Sequence, residues 1–490
     1  LLPSGAIRLS REPSDTADGY GDGPVADKHP SHAPDNDPFD LRLAWMWDHS
    51  TNWVPRTWGE QNTGASNPYT KRPAAFLADH VRMIDFLADN GFDAACVVGL
   101  FRDAHGGEDY ARRLIDHGRS KGVDVFPMVG LYAYGGVYYE GDHKYCLDTF
   151  LREHPDCIAV DEKGEPRTKP LGLFGPKTVL HACPSKPEVL AFVAESVRWA
   201  FETFDLAGME IETSDLGVCQ CSQCQERRRL PANGFSTEDM VIYYDACVQA
   251  ARSVNPNALM ILETYAHFAR GGGPQPPIFG RRLADADRAE VAKFPSGCAV
   301  QWYANLGLGP AGAVKIHCKE SDGFEWDEHD RSPYEGLNVM RTDGGTQWAS
   351  FRHDLFVEEF REIIVRSARS GVRGISMNGE CPAENPTDLL NYRAFDYFSR
   401  SWPTPSVDEF LDDEAAPLLG GPDRARRFFD IFQKNEYSDA AIDEIRKIEA
   451  DLPAEIHLRW AWLARWLLES HVRQQAQAQI KQMGVDAEIG

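Results

Sequence analysis

The sequence predicts an α/β fold, a (β/α)8 barrel followed by a C-terminal helical domain. Three observations predict it. The chain has 490 residues, enough for a barrel of roughly 250–350 residues with added loops and a smaller helical region. Short apolar runs alternate with amphipathic helical stretches from Leu41 onward, the pattern of strands joined by helical crossovers. Polar and acidic residues gather at the C-terminal ends of those runs, the end at which a parallel barrel opens.

Residues 1–40 are rich in Asp, Gly, Pro and Ser and read as an irregular lead-in, too polar to bury a core. The barrel spans residues 41–402. Its first strand is Leu41–Asp48, followed by a helix over Ala75–Asn90. Asp93–Gly99 is the second, with a helix over Gly107–Lys121, and Val123–Leu131 is the third. A long insertion from Tyr132 to about Ser185 precedes a helix over Pro187–Phe204. Ala207–Thr213 is the fourth strand, and Ser236–Ser253 its helix. Ala258–Thr264, Cys298–Asn305, Leu337–Asp343 and Gly374–Glu380 are the fifth to eighth, with a helix over Asp354–Ser370 between the last two. Residues 403–490 carry little strand signal. Four helices are expected there, over Val407–Leu419, Gly421–Lys434, Asp439–Ala450 and Pro453–Lys481. The Trp460, Trp462 and Trp466 stripe on the last suits core packing or a contact in a homo-oligomer.

Composition excludes several classes. A net charge of -24 opposes binding to nucleic acid or to an anionic membrane. No apolar run reaches the ~18 residues of a membrane span, and no signal-peptide pattern is visible, which leaves localisation open. The 11 Cys are an odd number scattered through a long chain, unlike a disulfide scaffold. No glycine-rich nucleotide fingerprint follows a strand, so no organic cofactor is expected.

The strand ends supply the chemistry. Asp48 and His49 close the first strand, and Glu210, Glu212 and Asp215 surround the end of the fourth. Glu263 closes the fifth, Gln301 and Tyr303 the sixth, Arg341 and Asp343 the seventh, Asn378 and Glu380 the eighth. One or two such residues would read as solvated strand ends. Carboxylates on several strands, converging on one face, cost stability through mutual repulsion and point to function. Alternation puts Glu210 and Glu212 on the same inward face. Glu212, nearer the mouth, is the candidate general acid/base. Glu210, deeper, is a positioning residue or a carboxylate paired with Arg42 or Arg341.

Asp343 and Glu380 rank equally as the second catalytic carboxylate, and Glu263 third. Substrate-binding candidates are Trp47, Asp48, His49, Glu210, Glu263, Trp302, Tyr303, Arg341 and Asn378, with Trp45, Tyr132, Trp348 and Arg102 beside them. The two arginines suit either a substrate carboxylate or sulfate, or neutralisation of the site's own acids. The Gly271–Gly273 segment with its prolines reads as a lid-like loop.

Cys219, Cys221 and Cys224 form a C-x-C-x-x-C directly after the fourth strand. Such close thiols suit a tetrahedral metal site better than mutual disulfides. Cys183 is the first choice of fourth ligand, ahead of Cys157 and His181. Four sulfurs would leave no open position, so a bound zinc would be structural. Reduced, unliganded cysteines are the alternative.

A strand-four Glu, a following C-x-C-x-x-C and a lone upstream Cys resemble family 42 β-galactosidases. That resemblance implies a structural zinc on these cysteines and an acid/base role for Glu212. The chain departs from that family's Asn-Glu pair, since Ile211 precedes Glu212. The motif is also similar to that of uncharacterised barrel proteins related to family 20 hexosaminidases and family 67 α-glucuronidases, whose tails resemble the stretch from Trp402 to Phe432. A family 20-like Asp-Glu pair is missing. The likeness covers roughly Leu41 to Phe432.

The functional expectation is a glycoside hydrolase that cleaves oligo- or polysaccharides with a pair of carboxyl groups. A metal-dependent sugar isomerase or lyase ranks second, because His residues at the strand ends are few. A non-catalytic carbohydrate-binding barrel is the third reading.

Overall fold

The computed structural model describes residues 37–47, 72–170, 178–212, 217–229, 231–232, 236–264, 285–303, 306–308, 314–316, 331–342, 355–378, 386–433 and 438–452, with isolated positions between 464 and 483. The chain divides into two compact units, residues 1–35 and residues 36–490. The first lies outside the described residues.

The second unit opens with β1 (Leu41–Trp47), α1 (Pro73–Asp89), β2 (Ala94–Val98), α2 (Gly107–Lys121) and β3 (Asp124–Gly130). The insertion after β3 carries α3 (Leu147–Glu153) and an antiparallel pair, β4 (Thr168–Pro170) with β5 (Thr178–Leu180). Then come α4 (Pro187–Thr203), β6 (Gly208–Glu212), α5 (Ser222–Arg227), α6 (Thr237–Arg252), β7 (Leu259–Glu263), α7 (Asp285–Val291) and β8 (Ala299–Tyr303). A second small antiparallel pair, β9 (Leu306–Leu308) with β10 (Val314–Ile316), precedes β11 (Leu337–Thr342), α8 (Val357–Arg369), β12 (Gly374–Asn378) and α9 (Pro386–Ser399). The tail holds α10 (Val407–Phe410), a π-helical turn over Leu411–Ala415, α11 (Ala416–Leu419), α12 (Pro422–Gln433) and α13 (Asp439–Ala450).

Eight parallel strands close into a barrel in the order β1-β12-β11-β8-β7-β6-β3-β2. The expected barrel is therefore present. Its strands are buried on both faces, as strands sandwiched between a filled interior and a helical ring must be. Local chemistry sets the helix ends. Gly122 takes φ +76 to terminate α2, a left-handed conformation that strains other residues. The Ser236 hydroxyl accepts from Asp239 N at 3.2 Å to start α6, satisfying a donor that the first turn leaves open.

Parallel neighbours in the ladder point the same way. Trp45 lies opposite Cys96, Glu210 opposite Met128 and Ile261, Glu263 opposite Gln301, and Arg341 opposite Ser376. This set points inward. The alternate residues point to the helices. Arg42 is one of them, with Nε donating to Ser399 Oγ at 2.8 Å and Nη2 paired to Asp37 at 2.7 Å. The expectation that Arg42 might partner Glu210 is thereby corrected, because the two sit on opposite faces of the barrel wall.

The hydrophobic core is continuous from Phe39 to Leu467. Phe410, Leu411, Phe428, Phe432, Ile442, Ile445 and Ile448 of the tail belong to it, so the helical tail extends the core of the barrel.

Candidate functional site

The C-terminal ends of the barrel strands are occupied by a polar interior. Glu212 ends β6 on the inward face and is 5% exposed, whereas Glu210, one step deeper, is fully buried. The Gln301 amide links the carboxylates of two strands, with Nε2 donating to Glu210 Oε1 at 2.6 Å and to Glu263 Oε1 at 3.4 Å. Arg341 Nη1 donates to the same Glu263 oxygen at 2.8 Å. Its guanidinium lies 3.8 Å from the centre of the Trp45 ring, a cation–π contact in a desolvated place. Burial pushes the Glu210 carboxyl up; Arg341, the Cys96 thiol and the Gln301 amide pull the other way. The Tyr244 hydroxyl on α6 donates to the Glu263 carbonyl oxygen and pins the end of β7.

Both expected arginines are engaged by the protein's own acids. Arg341 pairs with Glu263, and Arg102 pairs with Glu140 of the insertion at 2.5 Å.

Trp302 requires a correction. It was a candidate sugar platform, but it is the outward residue next to inward Gln301. It is fully buried, and its Nε1 donates to Asn338 Oδ1 at 2.9 Å. Its place is in the packing between barrel wall and helices. Trp47, Tyr303 and Asn378 belong to β1, β8 and β12, but their side chains lie outside the described residues. So do Asp48, His49, Asp215, Asp343, Trp348 and Glu380, the Gly271–Gly273 segment, and Trp460, Trp462 and Trp466.

The second constellation is the cysteine cluster. Cys183, Cys219, Cys221 and Cys224 bring their sulfurs within 4.8 Å of one another. Cys183 Sγ lies 3.7 Å from both Cys221 Sγ and Cys224 Sγ. A zinc ion bound at about 2.3 Å by four tetrahedral sulfurs sets them about 3.8 Å apart, so these residues fit the ion. Cys183 takes the fourth corner. Cys157 instead meets Cys183 through its backbone carbonyl, which accepts from Cys183 N at 2.9 Å. His181 stacks on Tyr132 with ring centres 4.8 Å apart, and burial, followed by Arg167 and Arg228, pushes it down to about 3.

The surroundings of the cluster suit thiolates. Arg227 Nη2 donates to Cys224 Sγ at 3.3 Å, and Val160 N to Cys219 Sγ at 3.5 Å. Ser185 Oγ lies 3.0 Å from Cys224 Sγ. Asp239, at the start of α6, binds both Arg227 (2.6 Å) and Arg228 (2.5 Å), while Arg228 also reaches Cys219 O at 2.6 Å. Arg227, Arg228 and Asp239 were not singled out from the sequence. The run of three arginines after the last cysteine was the available signal, since such residues offset thiolate charge. Cys96, whose thiol lies beside Glu210, was also missed, as a lone apolar-strand cysteine carries no signal. A small cavity of about 10 Å³ lies beside the cluster, lined by Tyr132, His181, Pro184, Val218, Cys219, Asp239 and Tyr243. It has room for about one water and not for a sugar ring.

No family model matches the chain, and no curated protein matches it. Solved structures do. The chain is similar to a GH138 enzyme targeting pectin rhamnogalacturonan II, with 8% identity and a TM-score of 0.45 over 84% of this chain and 44% of that one. It is similar to a β-N-acetylhexosaminidase from Bacteroides fragilis (12%, TM-score 0.41, 79% and 71% covered). An α-amylase from Geobacillus thermoleovorans gives 11% identity and a TM-score of 0.40, with 74% and 79% covered. The chain thus spans less than half the length of the first of these. Likenesses at this level concern the arrangement of the backbone.

Proposed function

We propose that this chain is a glycoside hydrolase acting on oligo- or polysaccharides, with Glu212 as general acid/base. The observation that carries the reading is the position of Glu212. It is the last residue of β6, it faces inward at the open end of a closed parallel barrel, and it is nearly buried. A general acid needs a carboxyl kept protonated by burial or by like-charged neighbours, and Glu212 is buried. Glycoside cleavage needs a second, ionised carboxylate. Asp343 and Glu380 are proposed for it ahead of Glu263, whose Oε1 is committed to Arg341 and so is a poorer base or nucleophile.

Zinc on Cys183, Cys219, Cys221 and Cys224 is part of this reading. The 3.7 Å sulfur separations and the arginine beside Cys224 support it. With four sulfurs the ion supplies no open position. It ties the loop that follows β6 to the insertion that follows β3, and the chemistry is left to the carboxylates.

Turnover of a panel of aryl glycosides and plant or algal oligosaccharides tests the proposal. Glu212→Gln is expected to lower kcat by about 10²–10⁴-fold, the contribution of a general acid/base, with the fold intact by circular dichroism. No turnover by the wild type, or equal turnover by the variant, would sink it. Sugar binding by calorimetry without turnover would indicate a binding barrel instead.

A further inference from the structure

Glu210 is a fully buried carboxyl that the proposed reaction does not use. Four barrel strands besides its own contribute a group near it. Gln301 on β8 donates its amide to Oε1 at 2.6 Å. Glu263 on β7 accepts from the same amide nitrogen at 3.4 Å, so the two carboxyls are close neighbours. Arg341 on β11 is hydrogen-bonded to Glu263 and acts on Glu210 only through space. Cys96 on β2 places its thiol beside Glu210. Glu212 lies above it on its own strand. The second oxygen of Glu210, Oε2, is buried and has no hydrogen-bond partner among the described residues.

Charge decides the state of this group. Among the described residues, Glu210 and Glu263 share the Gln301 amide, Arg341 binds Glu263, and both carboxyls are fully buried. Two ionised carboxylates would leave a net negative charge buried there, which low dielectric strongly disfavours. The direct ion pair belongs to Glu263. The proton therefore belongs on Glu210.

We propose that Glu210 is held as a neutral carboxylic acid and serves as a positioning residue, fixing the Gln301 amide against the Glu263–Arg341 pair. Burial acts on Glu210 in the same direction. The inference concerns the barrel floor and stands whichever reaction the mouth performs.

Infrared difference spectroscopy tests it. At neutral pH the wild-type spectrum minus that of Glu210→Gln should contain a protonated-carboxyl C=O stretch. The same subtraction with Glu263→Gln should contain that stretch too, because removing the Glu263 anion leaves Arg341 to Glu210 and lets it ionise. A carboxylate band in the first difference, or no carboxyl band, overturns the proposal. The dependence of stability on pH gives a second reading. A carboxyl whose folded pKa is raised takes up protons on folding, so its contribution is complete below the unfolded value of about 4.3 and is lost as pH rises through the folded value. Wild type should therefore fall in melting temperature relative to Glu210→Gln as pH rises from about 4 toward 8. A wild type that gains on the variant over that interval refutes a neutral Glu210. So does a Glu210→Gln protein that fails to fold, because glutamine closely matches the neutral acid in shape.

Discussion

Arg341 is the residue on which the polar interior turns. It supplies the cation hydrogen-bonded to Glu263 at 2.8 Å, and its flat face covers Trp45. Removing one member of a buried pair strands the charge of the other, which costs about 3–5 kcal/mol. Arg341→Met should lose that much in urea unfolding. Adding Glu263→Gln to it should recover part of the loss, because the stranded charge goes with it. Additive losses in the double variant would show that the pair does not couple. Alternation along β6 made Glu210 and Glu212 legible as inward neighbours. The same rule, applied to β8, assigns Trp302 to the outside. The appeal of a tryptophan as a sugar platform ran against that parity, and parity decided. Partner choice was not legible. Whether Arg341 meets Glu210 or Glu263 depends on the stagger of β11, β8 and β7, which no single strand encodes.

At the level of elements, apolar runs bounded by polar ends located the barrel strands to within one or two residues. The expected Ala207–Thr213 became Gly208–Glu212, and Gly374–Glu380 became Gly374–Asn378. Helix α2 matched its expected bounds, since glycines flank it on both sides. The insertion after β3 was legible only as a length. Its anchors, Arg102 to Glu140 and Cys183 to the cysteine loop, depend on contacts between segments far apart in sequence. These two anchors make a prediction about the insertion. With zinc bound, Cys183 joins it to the loop after β6, and a chelator that removes the ion should release it. Purified protein should contain one zinc per chain by atomic emission. Cys183→Ser should lower that content and speed proteolysis within residues 131–186, with the barrel still folded. Wild type without zinc, purified without chelators, would refute the site; zinc retained in full by Cys183→Ser would remove Cys183 from it.

For the whole molecule, the tail is where stability is shared. Phe428 is fully buried and packs tilted against Phe432 with ring centres 4.4 Å apart, and both belong to the core that runs through the barrel. Polar ties accompany that packing: Arg361 to the Pro405 carbonyl at 2.6 Å, Arg393 to Glu414 at 2.7 Å, and Tyr397 to Asp413 at 2.7 Å. The first of these is an interaction of a barrel helix with the start of the tail, and the others join α9 to the turn after α10. Exposed pairs of this kind contribute little, about 0–1 kcal/mol each. Truncating a buried Phe costs about 3–5 kcal/mol through lost transfer energy and the cavity left behind. Phe428→Ala should thus destabilise far more than Glu414→Gln. Because one core joins tail and barrel, the loss should lower a single unfolding transition followed by both far-ultraviolet circular dichroism and tryptophan fluorescence. A tail that melted first, with the barrel transition unmoved, would mean that the tail folds on a core of its own. The continuous packing from Phe39 to Leu467 argues for the single transition.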